Sequence, residues 1–281
     1  MRRLGGKEVA DEIMADLRVR VDALKSKGIQ PRLAILRVGE REDDLAYERG
    51  VLKRFELIGA SVKIYTHDET VSQEELNKTF DGLNSDPSVH GILVFRPLPK
   101  GLSDEHMRKT IDPGKDVDFM DIRNMEDVLA GVRDCSAPCT AEAVMALIKH
   151  YQIETKGKKV TVVGRSLVIG KPVALLLTTA NATVTVCHTK TANVAEECRH
   201  ADIIVACCGV AKIISERYVK PDQIIIDVGM NVDDEGRLVG DVDYDRVSGI
   251  VEAITPVPGG VGSITTAILL KHVVINAERQ I

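Results

Sequence analysis

The stretch Val160-Thr161-Val162-Val163-Gly164-Arg165-Ser166-Leu167-Val168-Ile169-Gly170-Lys171-Pro172 decides how this chain folds. Lys159 to Val163 is β-branched and apolar, the signature of a buried strand. Gly164 opens a turn, and Pro172 suits the first turn of a helix running to Thr179. Glycines at 164 and 170 would let backbone approach a phosphate at the positive end of that helix. The pattern is not G-x-G-x-x-G, and from spacing alone a plain tight strand-to-helix turn explains it equally well.

Further strand patterns follow at Thr183–Val186, Ile203–Ala206 and Ile224–Val228, and the tail, 263–278, has a helical pattern. Upstream, Val9, Ile13, Leu17, Val21 and Leu24 recur at helical spacing until Pro31 stops them. Leu33–Val38, Ser61–Tyr65 and Gly91–Phe95 are strand patterns, separated by helical patterns over 43–58 and 72–84. The 96–139 segment is irregular, with Pro97, Pro99, Pro113 and Pro138, and a helix follows over Ala141–Tyr151. Alternating strands and helices predict parallel sheets covered by helices. The expected architecture is α/β with two domains: residues 1–139, to which a tail helix over 263–281 returns, and a Rossmann-like domain over 140–262.

Dinucleotide sites that hold an unphosphorylated ribose place an acid about 20 residues beyond the glycines. Here the second strand ends in Cys187-His188-Thr189-Lys190, without an acid. Arg165, a hydroxyl and Lys190 converging on that ribose would suit a phosphate, which favours NADP. If both cations are merely solvated, NAD remains the alternative.

A net charge of −5 provides no basic footprint for nucleic acid. No apolar run approaches the roughly 20 residues of a membrane helix. Charged residues follow Met1-Arg2-Arg3-Leu4-Gly5-Gly6-Lys7 where a signal peptide would be apolar, so a cytoplasmic location is the default expectation. Cys135-x-x-x-Cys139 has no second pair at metal-site spacing, and the histidines form no H-x-x-x-H pair. Reduced structural thiols and no metal are expected.

Several motifs together resemble the methylenetetrahydrofolate dehydrogenase/cyclohydrolase family. Besides Gly164-Arg165-Ser166 through Gly170-Lys171-Pro172, they are Lys115-Asp116-Val117-Asp118, Pro138-Cys139-Thr140, His188-Thr189-Lys190-Thr191, Asp227-Val228-Gly229-Met230-Asn231, Gly240-Asp241-Val242 and Thr255-Pro256-Val257-Pro258-Gly259-Gly260-Val261-Gly262. They follow the family order across nearly the whole chain. The resemblance implies a folate domain and a nicotinamide-nucleotide domain with an active-site cleft between them, and a homodimer paired through the nucleotide domains. It implies that Tyr47 stacks on the folate, that Asp118 hydrogen-bonds the pterin, and that Pro258, Gly259 and Gly260 line the pocket. Gly164, Arg165, Ser166, Gly170, Thr189, Gly209, Asp227, Gly229 and Thr265 would lie along the cofactor. Outside that context Tyr47 would be a core aromatic, Asp118 a turn or cap residue, and the proline-glycine run a loop.

The folate end departs from the family pattern. Tyr-x-x-x-Lys becomes Tyr47-Glu48-Arg49-Gly50-Val51, so valine stands where the family has the lysine of its cyclohydrolase reaction. Pro-Ala-Ser becomes Glu42-Asp43-Asp44, Val-Gln-Leu-Pro-Leu-Pro becomes Val94-Phe95-Arg96-Pro97-Leu98-Pro99, Asp-Val-Asp-Gly becomes Asp116-Val117-Asp118-Phe119, and Pro-Met in the last motif becomes Ser263-Ile264. Val51 lies four residues from Tyr47, on the same helix face. Lys53 is about 200° round the helix from Val51, and Arg54 about 10 Å along it from Tyr47. Hydride transfer from the methylene carbon needs geometry more than a protein acid or base. Hydrolysis of the methenyl cation needs water activated and protons moved. The expected activity is therefore an NADP-dependent methylenetetrahydrofolate dehydrogenase with cyclohydrolase activity weak or lost. The alternatives are a bifunctional enzyme with a substituted proton shuttle, a non-catalytic pterin- or nucleotide-binding regulator, and, from Asp44, Phe95 and Phe119, an enzyme for a modified pterin.

Overall fold

Parallel β-sheets organise residues 1–280, the part that the computed structural model describes. In chain order the elements are β1 (Arg2–Arg3), α1 (Gly6–Ser26), β2 (Arg32–Val38), α2 (Glu42–Ile58), β3 (Ser61–His67), α3 (Gln73–Ser85), β4 (Gly91–Val94), α4 (Glu105–Thr110) and α5 (Glu126–Ala130). There follow α6 (Cys139–His150), β5 (Lys159–Val163), α7 (Gly170–Thr179), β6 (Thr183–Cys187), α8 (Val194–His200), β7 (Ile203–Ala206) and β8 (Ile224–Asp227). The chain closes with β9 (Asn231–Val232), β10 (Leu238–Val239), α9 (Tyr244–Val247), β11 (Ala253–Ile254) and α10 (Gly262–Arg279).

One compact unit comprises Glu12–Glu126 and the chain from Thr266 onward. Its sheet is parallel, in the order β3-β2-β4. The central strand β2 is apolar at nearly every position because both its faces are covered, as in parallel sheets generally. Ala34, Leu36 and Val38 pack with Leu76, Phe80 and Leu83 of α3 and Met107 of α4. Three acids in the first turn of α2 complement the positive end of the helix. The helix stops at Gly59, whose left-handed backbone (φ 69°) lets its N–H and that of Ala60 close on Glu56 and Phe55.

The other unit comprises Met1–Asp11 and Asp127–Thr265, around a six-stranded parallel sheet in the order β1-β11-β8-β7-β5-β6. A short antiparallel hairpin, β9–β10, stands apart from that sheet. The core gathers Cys198 of α8, Ile204 of β7, Ile225 of β8, Val247 of α9 and Ile254 of β11.

The compact units divide the chain differently from the expected division at 139/140. Residues 1–11 belong to the six-stranded unit because β1 extends its sheet: Arg2 and Arg3 pair with Ala253 and Ile254. Residues 127–139 join it as well, and the chain from Thr266 onward clusters with Glu12–Glu126. The two-residue strands, the hairpin, and α4, α5 and α8 lie outside the sequence expectations because they are too short to show a period.

Candidate active site

In the six-stranded unit, β5 lies between β6 and β7, and all three run parallel. Their carboxyl ends therefore share one edge of the sheet, where open α/β sheets bind ligands. That edge brings together Gly164, Arg165 and Ser166 after β5, Thr189 after β6 and Gly209 after β7. Arg165, Ser166, Thr189, Lys190 and Gly209 are all exposed there.

The turn after β5 requires its glycines. Gly164 has φ 139°, and a Cβ on it would overlap the Cys207 carbonyl. A Cβ on Gly170 would overlap the carbonyl of Gly164. The Ser166 hydroxyl accepts from the Ile169 N–H at 3.1 Å and the Gly170 N–H at 3.4 Å, tying the turn to the start of α7. The result is an open backbone cradle at a helix N-terminus, which fits a pyrophosphate.

The loop after β7 is held by Asp241, which the sequence reading quoted in the Gly240-Asp241-Val242 motif without giving it a role. Its Oδ2 accepts from the N–H groups of Cys208 (2.6 Å) and Gly209 (3.0 Å). Its Oδ1 accepts from the Val210 N–H and the Asn231 side chain. Asp227, in turn, holds Asp241. The Asp227 carboxylate accepts from the N–H groups of Gly229 (2.9 Å), Asp241 (3.0 Å) and Val242 (2.9 Å), and burial pushes its pKa up to about 7. Asp227 is 3% exposed with its carboxylate turned to backbone, and Gly229 is buried against Asp241. Burial also pushes the Cys207 and Cys208 thiols up to about 12.

Pro258, Gly259 and Gly260 form a turn in the same unit, with the Gly6 N–H donating to the Gly259 carbonyl at 2.8 Å. Thr265 sits in the first turn of α10, its hydroxyl on the Gly262 carbonyl at 3.1 Å.

In the three-stranded unit, Tyr47 and Phe95 meet edge to face, with ring centroids 6.0 Å apart. Val51, one turn beyond Tyr47, is fully buried. Lys53 is exposed, and Arg54 is partly buried and has a partner of its own. The next face of α2 carries Glu48, whose Oε2 accepts from Arg37 Nε of β2 at 3.1 Å in a pair only 7% and 11% exposed.

The loop after β4 is built from its motif residues. Lys115 is buried, and its Nζ donates to the carbonyls of Asn84 and Asp86 at 2.7 Å, capping the end of α3. Asp116 accepts from the N–H groups of Met120 and Asp121 and from Asn124. This network holds Phe119 at φ 55°, a left-handed conformation that the family's glycine adopts without strain. The Phe119 ring lies 5.5 Å from that of His272. Asp118 Oδ2 accepts from Arg96 Nη2 at 2.7 Å. Burial raises the Asp118 carboxyl above the usual carboxylate range, and Arg96 opposes the rise. Sequence reading missed this partner; the signal was a new cation among the departures, in a loop two motifs from an acid.

Two family models match the chain. The catalytic domain of tetrahydrofolate dehydrogenase/cyclohydrolase matches residues 4–118, and its NAD(P)-binding domain matches residues 138–281. The chain belongs to this family. The bifunctional protein FolD of Clostridioides difficile (strain 630) is 49% identical over 98% of this chain and 96% of its own. The crystal structure of the bifunctional FolD enzyme from Campylobacter jejuni superposes with a TM-score of 0.96, at 38% identity and full coverage of both chains. The Trypanosoma brucei methylenetetrahydrofolate dehydrogenase-cyclohydrolase, solved with NADP cofactor and an inhibitor, has a TM-score of 0.92 at 35% identity, covering 98% of this chain and 96% of its own. This chain is thus an enzyme of the methylenetetrahydrofolate dehydrogenase/cyclohydrolase family, of α/β fold, and its Rossmann-like unit binds NAD(P). Among the described residues no helix is long and apolar enough to cross a membrane.

Proposed function

We propose that this enzyme oxidises methylenetetrahydrofolate to methenyltetrahydrofolate with NADP as acceptor, and that its cyclohydrolase activity is weak or absent. The observation that carries the reading is Val51: a buried, uncharged side chain one turn from Tyr47, where the family motif has lysine. In the first step a hydride leaves the methylene carbon and the adjacent nitrogen lone pair stabilises the cation, so no protein group exchanges a proton. Bound NADP supplies the hydride acceptor. Tyr47 orients the folate by stacking, and Asp118 accepts hydrogen bonds from the pterin's amino and ring N–H groups. By the family resemblance, Pro258, Gly259 and Gly260 line the folate and Thr265 contacts the cofactor. In the second step water adds to the methenyl carbon, a proton is lost and the ring opens. A lysine tuned by burial could manage that proton. Valine can neither accept nor donate one, and Phe95 replaces the glutamine that would stand beside it.

The cradle of Gly164, Ser166 and Gly170 suits the dinucleotide, with Thr189 and Gly209 beside it. Asp227 and Gly229 act through the loop that Asp241 fastens. Exposed Arg165 and Lys190 at an acid-free strand end support NADP over NAD. The β6 edge of the sheet, with Thr185 and Val186 exposed, supports a homodimer paired through this unit.

A paired assay of both activities with both nicotinamides tests the reading. Methenyl product should accumulate in step with reduced NADP and then decay only at its spontaneous rate. Arg165→Ala should raise KM for NADP much more than for NAD; equal or better use of NAD by the unmodified enzyme would sink the cofactor assignment. The second reading, retained hydrolysis through a substituted shuttle, draws on relatives named bifunctional. It predicts enzyme-dependent methenyl hydrolysis that is lost on changing Arg54 or Lys53.

A further inference from the structure

Asp118 has a cationic partner that the family motif does not provide: Arg96 stands where Val-Gln-Leu-Pro-Leu-Pro has leucine. Its guanidinium spans two acids. Nη2 donates to Asp118 Oδ2 at 2.7 Å, and Nη1 lies 3.6 Å from Asp104 Oδ2, at the start of α4. Asp104 is held from the other side by Arg108 Nε at 3.1 Å. The Arg96 carbonyl accepts from Arg41 Nη2 at 3.4 Å, and Arg41 is itself paired with Asp44 at the start of α2. Arg96 is thus fixed at both ends by groups just before α2 and α4.

The Asp118 side chain keeps 31% of its surface open, so a ligand can reach it. A carboxylate has about four acceptor sites on two oxygens, and Arg96 occupies one oxygen. We propose that Arg96 is a positioning residue for folate recognition: it pins one oxygen of Asp118 and leaves the other oxygen for the amino and ring N–H groups of a pterin. This rests on the reading of Asp118 as the pterin's acceptor.

The surroundings explain why an anion there needs help. Desolvation raises the Asp118 carboxyl, and the nearby Asp116 carboxylate adds to the rise. Arg96 opposes it by charge and by hydrogen bond, and His272 of α10 adds a smaller opposing effect. The His272 ring faces Phe119, and its Nδ1 lies 3.0 Å from the Val117 carbonyl. Without the guanidinium, desolvation and Asp116 face only His272, and the carboxylate loses the 2.7 Å bond that fixes its orientation.

The test compares Arg96→Leu, Arg96→Lys and Asp118→Asn with the unmodified enzyme, each checked by thermal melting. The carboxyl titration of Asp118 is followed by ¹³C NMR without ligand, and KM for methylenetetrahydrofolate is measured from about pH 5.5 to about 8.5. In Arg96→Leu the carboxyl should titrate at higher pH. Its KM should rise about tenfold at the acid end, the scale of one charged hydrogen bond, and recover at the alkaline end. Arg96→Lys should restore most of both, and binary binding of NADP should be the same in all variants. Asp118→Asn should raise KM with no such recovery. An unshifted carboxyl titration in Arg96→Leu, or tighter folate binding by that variant, overturns the role of Arg96 even if Asp118→Asn weakens folate. A shifted titration with a flat KM, in Arg96→Leu and Asp118→Asn alike, overturns Asp118 as the pterin's acceptor and the folate role of Arg96 with it.

Discussion

At position 51 valine stands where the family motif has lysine. On the proposed function, hydride transfer asks nothing of that position, whereas hydrolysis asks for a proton carrier. The structure adds a constraint to any attempt at restoring the lysine. Val51 is fully buried, and an ammonium there would be desolvated, at a cost of several kcal/mol unless it is partnered. Phe95, packed edge to face on Tyr47, offers no acceptor in place of the family's glutamine. Val51→Lys alone should therefore melt at lower temperature and hydrolyse little methenyltetrahydrofolate. Val51→Lys with Phe95→Gln should recover part of both. Full hydrolysis by the single variant would show that the glutamine position is dispensable. Phe119 shows the same logic in backbone terms. A left-handed φ at a residue with a Cβ costs about 1–2 kcal/mol, and Asp116's hydrogen bonds to the following backbone hold it in place.

At the scale of elements, the edge formed by β5, β6 and β7 depends on carboxylates as much as on glycines. Asp241 gathers three consecutive N–H groups, from Cys208 to Val210, that the sheet leaves unpaired. Removing such an acceptor strands donors at about 1–3 kcal/mol for a buried one. Asp241→Ala should lower stability to urea by about 2 kcal/mol or more and weaken NADP binding at least tenfold. Unchanged NADP affinity in a folded variant would show that the 208–210 loop does not serve the cofactor. The thiols in that region should be inert. With Cys198, Cys207 and Cys208 pushed up to about 12 by burial, almost no thiolate exists below about pH 9. Iodoacetamide should label these three slowly in the native enzyme and rapidly once urea unfolds it. Fast native labelling of Cys207 or Cys208 would show that these thiols titrate well below about 12.

For the whole molecule, the two ligands should leave different footprints in amide hydrogen exchange. NADP should protect the turn at 164–170 and the loop at 208–210, in the six-stranded unit. A folate ligand should protect 47–51 and 116–120, in the three-stranded unit. Protection of 116–120 by NADP alone would shift the assignment of Asp118 from folate to nucleotide. The unit division also bears on truncation. Because β1 belongs to the six-stranded sheet, deleting the first few residues should destabilise the nucleotide-binding unit, not the unit whose helices follow β1 in the chain.

The amino-acid sequence by itself determined the alternation of strands and helices, because long periodic segments such as Arg32–Val38 and Glu42–Ile58 carry their burial in their pattern. It also determined that a glycine turn follows β5 and that valine stands at position 51, where the family motif has lysine. Tertiary structure alone decided which charged residues face one another. Arg96 and Asp118 are 22 positions apart, and Asp241 is 33 positions from the Cys208 N–H that it accepts. No local period links such pairs; only the packing of separate loops brings them within hydrogen-bonding distance. The same holds for β1, two residues long, which becomes a strand only because β11 supplies an edge for it to pair with.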